Sequence, residues 1–168
     1  MKLEEYLEKI EECPDKYLEI NGNKSHRLTA DFGVYDNFPI LLRGDFNKIL
    51  GYLEKNGFNI IDTYKQSSNY IGHRLTNNNG ISRLQLRNYP CFDSFWPEFL
   101  MKEGFNMFAY IHGPSVDKWK EVKNPFPEMA KTIKTIGDYS MENKIKLAFP
   151  EIKDGLGNDD IVFYNPSE

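Results

Sequence analysis

The chain has no run of eighteen apolar residues, so nothing in it reads as a bilayer-spanning helix. Cysteine is scarce. Cys13 and Cys91 form neither a CxxC pair nor a zinc spacing, so a disulfide scaffold and a thiolate metal site both lack material. Two reduced thiols suit a cytoplasmic protein. Positive charge is also short. Lys and Arg total 21 against 25 Asp and Glu, a net charge of −4. A dedicated nucleic-acid binder carries a basic excess, so nucleic acid is not expected as the main partner. The segment MKLEEYLEKIEE is an acidic amphipathic run without the apolar core of a signal peptide.

Catalytic signatures are missing too. There is no P-loop, no GxGxxG after a strand, no GxSxG and no HExxH. The ExK triplets at 121–123, 142–144 and 151–153 are of the kind that Lys and Glu abundance produces by chance. The loop 154–160 is rich in Asp, Asn and Gly, but it lacks the EF-hand spacing and its closing Glu. Turn chemistry accounts for that composition. No metal or cofactor is expected, and the reading leans away from an enzyme.

What is present is enough for a core. Hydrophobic residues make up 40% of the 168 and aromatics 14%. That length fits a single domain, 1–168, burying about two-thirds of its unfolded surface. Lysine far outnumbers arginine and asparagine is abundant, which points to an AT-rich bacterial or phage genome.

One pattern organises the middle of the chain. His26-Arg27-Leu28-Thr29, followed by Gly33, recurs 47 residues later as His73-Arg74-Leu75-Thr76, followed by Gly80. In the same register, Leu53, Lys55, Gly57, Phe58 and Asn59 match Leu100, Lys102, Gly104, Phe105 and Asn106. Fixed-period self-similarity suggests internal duplication. It predicts two copies of a βαββ unit, about 26–60 and 73–107.

The elements follow from periodicity and punctuation. Residues 2–12 are expected to form a helix, because Leu3, Tyr6, Leu7 and Ile10 recur on one face until Pro14. Residues 17–20 and 25–29 are expected to pair across Asn21-Gly22. A strand at 38–43 follows, with Pro39 at its start or on an edge. Asp45 caps a helix with Phe46, Ile49, Leu50 and Leu53 inside and Gly57 as its C-terminal glycine. A strand is expected at 58–64. The alternating runs 70–76 and 81–87 flank Asn77-Asn78-Asn79-Gly80 as a hairpin. A helix from Asp93 or Ser94 to Gly104 leads to a strand at 105–112, apolar enough to be central and covered on both faces. A helical turn at 116–122 carrying Trp119, a helix at 128–136 and strands at 144–149 and 160–164 complete the set. Mostly hairpin-linked strands with helices on one face make an α+β fold with a mainly antiparallel sheet.

Two constellations carry the functional expectations. His26, Arg27, His73 and Arg74 offer acid–base and anion-binding groups. Converging across a pseudo-twofold axis, they would hold a symmetric anionic ligand and make a nucleotide- or phosphoester-binding domain, a phosphodiester hydrolase among the outcomes. The two-histidine phosphodiesterases use His-x-Thr on one strand face, whereas His-x-x-Thr places the two on opposite faces. The other constellation is 89–97, with four rings in nine residues. Tyr89, Phe92, Asp93 and Trp96 suit an interface that selects a cationic group on another protein. The favoured expectation is a small cytoplasmic protein-binding module of inhibitor or immunity type, docking on another protein, with no membrane involved.

Overall fold

In a computed structural model, the described residues are 3–5, 7–8, 37–67, 70–88, 104–114, 121–122, 125–150 and 161–164. The expected hairpin at 17–29, the helix from 93 or 94, most of the turn at 116–122, both cysteines and the loop 154–160 lie outside them.

The strands are β1 (Asn37–Leu42), β2 (Phe58–Ser67), β3 (Tyr70–Asn77), β4 (Arg83–Arg87), β5 (Met107–His112), β6 (Leu147–Pro150) and β7 (Ile161–Tyr164). They form one sheet in the order β2-β3-β4-β5-β1-β6-β7, and every pairing is antiparallel. Two helices, α1 (Phe46–Lys55) and α2 (Phe126–Asn143), supply residues to the same buried cluster as the strands. The fold is α+β.

Helix α1 starts where Asp45 accepts a hydrogen bond from the Lys48 amide at 3.0 Å. It buries Ile49 and Leu53. Asn56 ends it, and Gly57 at φ +92° turns the chain into β2. The turn before α1 is clamped by Asn106, which accepts from Gly44 N at 2.9 Å and donates to Gly44 O at 2.8 Å. That side chain ties the entry of α1 to the start of β5.

Helix α2 is longer than its apolar spacing predicts. It runs past Ile136 through Gly137 to Asn143, burying Met129, Ile133 and Ile136 and also Tyr139 and Ser140. A Cβ on Gly137 would clash with Leu3 Cδ2, so the glycine serves a close approach. Leu3 is buried there, and residues 3–5 and 7–8 are helical, within the expected 2–12 helix. Lys144, expected in a strand, is instead the left-handed residue that closes α2, at φ 53°. Ile145 N then bonds back to Ser140 O at 2.9 Å, and β6 begins only at Leu147.

Pro39 sits in an interior strand, but the β6 register meets β1 only at Leu41 and Leu42. Along the described pairings, Pro39 therefore lies on the half of β1 bordered by β5 alone, where its missing N–H is tolerated.

The internal duplication is not shown. Gly57 and Gly104 both have positive φ and both precede strands. The strands themselves are arranged differently. Four antiparallel steps leave β1 and β2 parallel, with three strands between them. Their counterparts β4 and β5 are antiparallel neighbours. A sequence echo fixes local turns but not which strands pair, and here the pairings differ.

Candidate functional site

The sheet has two unlike faces, and strand alternation decides which residue goes to which. Leu75, Leu84, Leu86, Ala109 and Ile111 point to the helices and belong to the buried cluster. Their neighbours point the other way. Cross-strand partners share a face, so Arg74 lies beside Gln85, Gln85 beside Tyr110, Arg83 beside His112, and Asp62 beside Arg74. Arg87 shares this second face through the alternation of Arg83-Leu84-Gln85-Leu86-Arg87, whose burial also alternates.

A bulge adds one apolar residue. Between Ile60 and Asp62 the register on β3 advances a single position, so Ile61 is extra. It lines the same cavity as Arg74, Arg83, Gln85 and His112, and it is 56% exposed.

The hydrogen bonds on this face hold its groups in place. Arg74 Nη1 reaches both carboxylate oxygens of Asp62 at 3.0 Å, and both side chains remain about half exposed. Arg83 donates to the carbonyls of Gly113 and Pro114 at 2.8 and 3.2 Å, which ties its guanidinium to the chain leaving β5. Arg87 donates to Gln85 Oε1 at 3.0 Å. The rings of Tyr110 and His112 stack with centroids 5.2 Å apart and planes 10° from parallel. Strand β5 is central as expected, yet its second face is only partly covered at Tyr110 and His112. The cavity lined by Ile61, Arg74, Arg83, Gln85 and His112 measures about 190 Å³.

The His-Arg pair predicted as a site is split by the same alternation. His73 faces the helix side, where Phe46 stacks on it at 5.5 Å and Thr63 Oγ1 meets its Nδ1 at 2.8 Å. Arg74 faces the other side. Consecutive strand residues cannot converge on one ligand without a bulge between them. His26 and Arg27 lie outside the described residues, as do Tyr89, Phe92, Asp93 and Trp96. The Thr63–His73 contact pairs a hydroxyl with the imidazole, and among the described residues no carboxylate bonds to that ring. No group of three His, Cys, Asp or Glu among the described residues is placed to hold a metal.

A larger cavity, about 290 Å³, opens where the β3–β4 turn meets α2. Two of its asparagines are taken up in building the turn. Asn77 donates to Glu128 and accepts from Ser82 N, each at 3.2 Å, while Asn79 accepts from Ile81 N at 2.9 Å. Those asparagines are structural by geometry, so the smaller cavity is the stronger candidate.

Sequence reasoning missed Arg83, Arg87 and Gln85, although a signal was there. The chain has five arginines against sixteen lysines, and three of the five fall within residues 74–87. Alternation alone places Arg83 and Arg87 on one face. Bringing Arg74 and His112 beside them required the pairings of β3 and β5 with β4. No described helix is long and apolar enough to cross a membrane. Comparison with known proteins gives no match: no family model, no curated protein and no solved structure is similar to this chain.

Proposed function

We propose that this chain is a non-catalytic protein-binding module, an inhibitor or immunity-type protein of bacterial or phage origin that works in the cytoplasm. It docks on another protein through the second face of the sheet over β2–β5. The observation that carries this reading is the composition of that face. Arg74, Arg83, Gln85, Tyr110 and His112 stand side by side where the opposite face carries Leu, Ala and Ile. Arginine and tyrosine dominate interface hot spots, because they combine a planar contact area with several donors. The cavity volume of about 190 Å³ lies below the range of about 300–1,000 Å³ usual for small-molecule sites, which favours docking over substrate binding.

The phosphoester reading needs His73 and Arg74 in one cleft, and they occupy opposite faces. The docking reading is tested by affinity capture from a bacterial lysate with three baits. These are the wild type, Arg74→Glu, and Lys134→Glu on the exposed side of α2. A protein held by the wild type and Lys134→Glu but lost by Arg74→Glu is the expected result. Identical capture by all three, with unchanged melting temperatures, would sink it.

A further inference from the structure

We infer that Asn79-Gly80, in the turn between β3 and β4, is a self-modifying site. The Gly80 amide nitrogen attacks the Asn79 side chain, and a succinimide then opens to an aspartyl or isoaspartyl linkage. The inference goes beyond the docking reading and does not depend on it. The sequence holds three Asn-Gly pairs, at 21–22, 56–57 and 79–80. A glycine in second place leaves no side chain to block the backbone nitrogen from a close approach. Sequence alone therefore makes the three alike. The pair at 21–22 lies outside the described residues, and the structure separates the other two.

The backbones of the two pairs are much the same. Asn56 and Asn79 are both exposed, and φ is +92° at Gly57 and +70° at Gly80. Each glycine amide donates to the carbonyl three residues back, Gly57 to Glu54 at 3.4 Å and Gly80 to Asn77 at 3.0 Å. The side chains differ. Asn56 Nδ2 donates to the Tyr52 carbonyl at 2.8 Å, which turns the amide back over the last turn of α1 and ties down the nitrogen that would leave. Asn79 Oδ1 instead accepts from the Ile81 amide at 2.9 Å, two residues on. That bond closes a ring the size of a β-turn across the Gly80 peptide and folds Cγ toward the Gly80 nitrogen. It also sets a donor on the oxygen that becomes anionic during attack.

Water and its hydroxide are the only co-reactants. Hydroxide takes the Gly80 N–H proton when the bond to Asn77 opens, which costs little in an exposed turn. The nitrogen's electron pair forms the new bond to Cγ, and the carbonyl pair moves onto Oδ1 beside the Ile81 amide. Its return breaks the bond from Cγ to Nδ2, which leaves as ammonia with a proton from water. Water then adds at either ring carbonyl, and that carbon's bond to nitrogen breaks. One opening gives an aspartyl side chain, and the other routes the main chain through the side-chain carbon. The second product lengthens a turn that Asn77 and Ser82 close, through Asn77 N to Ser82 O at 3.0 Å and Ser82 N to Asn77 Oδ1 at 3.2 Å. It therefore loosens the β3–β4 hairpin, whose register places Leu75 opposite Leu84 in the buried cluster.

The test ages the full chain at mildly alkaline pH, once folded and once in urea. Samples are digested at acid pH, which stops further conversion, and read by peptide mass spectrometry with fragmentation that tells isoaspartyl from aspartyl. In the folded chain, position 79 should convert about tenfold faster than position 56, a modest share of what proximity and one placed donor supply. In urea the two should convert at similar rates, because the hydrogen bonds that set them apart are gone. Isoaspartyl should appear at 79 beside aspartyl. The inference is overturned if position 56 keeps pace with 79 in the folded chain, or if the same ratio persists in urea. It is also overturned if 79 yields aspartyl alone, the mark of direct hydrolysis without the ring. Chromatographically separated isoaspartyl chains should melt several degrees below both the unaged protein and Asn79→Asp, which keeps the acceptor for Ile81. Equal melting overturns the loosening of the hairpin.

Discussion

Leu84 and Gln85 are neighbours in sequence and opposites in environment. Leu84 is 1% exposed beneath the helices, while Gln85 stands half-buried between Arg74 and Tyr110 on the far face. The same division runs through Leu75 and Arg74 on β3, and through Ile111 and His112 on β5. One face is a packed apolar layer and carries the stability. The other gathers charge and aromatic rings. A single backbone periodicity produces both, because each strand residue has one side to choose and its neighbour takes the other. Stability and the proposed docking are therefore separable by position, one residue apart.

The sharpest way to break this comparison is to hollow the helix-side face. Ile111→Ala removes a fully buried side chain from a central strand. It should cost about 3 kcal/mol in urea unfolding, the scale of large-to-small changes in a tight core. A loss below about 1 kcal/mol would mean that this layer is loosely packed. Filling the layer above it comes next. Gly137→Leu drives a side chain into Leu3 and should destabilise by about 2 kcal/mol. It should also make the first helical residues more sensitive to protease. If stability rises instead, helix propensity outweighs the contact and Leu3 packs elsewhere.

Ser82 tests a place where polarity enters the buried side. It is fully buried and its hydroxyl lies 2.6 Å from Thr132 Oγ1. Ser82→Ala should cost about 1 kcal/mol, since Thr132 keeps its own bond to the Glu128 carbonyl. On the second face the expectation reverses. Arg74→Gln breaks a half-exposed ion pair and should change stability by less than about 0.5 kcal/mol. A loss of about 2 kcal/mol would show that the second face holds the fold as much as the first.

The smallest effect concerns pH. Tyr52 on α1 and Tyr139 on α2 are pushed above the ordinary 10.0 chiefly by burial, with Glu142 and Asp138 beside Tyr52 and Asp45 beside Tyr139 as the negative charges that add to it. A raised phenol pKa means the unfolded chain loses these protons first. This contribution is complete below pH 10.0 and fades as pH climbs through the folded values. Urea midpoints measured below and above pH 10.0 should fall on the alkaline side, and Tyr52→Phe should reduce the drop. An unchanged midpoint across that range would remove burial as the cause.

Much of the frame was legible in the chain. The alternation of 70–76 and 81–87 around an Asn-rich turn specifies the hairpin, because a one-residue slip would turn Leu75, Leu84 and Leu86 out to water. Asp45 and Gly57 mark the two ends of α1 through groups that only backbone caps and a positive φ call for. The candidate site was much less legible. The pair His73-Arg74 drew attention because it was repeated, yet adjacency in a strand is what keeps its members apart. Arg83, Arg87 and Gln85 read as ordinary polar positions of an alternating strand until β3 and β5 are laid beside them.

Composition, alternation and caps by themselves determined that this chain forms an α+β domain with an antiparallel hairpin at its centre. They act within a few residues, and the physics of turns and strand faces is local. Tertiary structure alone decided the strand order, which puts β1 between β5 and β6 and leaves β1 and β2 parallel at a distance. It also decided that α2 continues through Gly137, because Leu3 fills the space where a side chain would stand. Most of all it decided that Arg74, Arg83 and His112 share one cavity. They come from three strands, and only the pairing of distant segments, driven by burying the opposite face, brings them together.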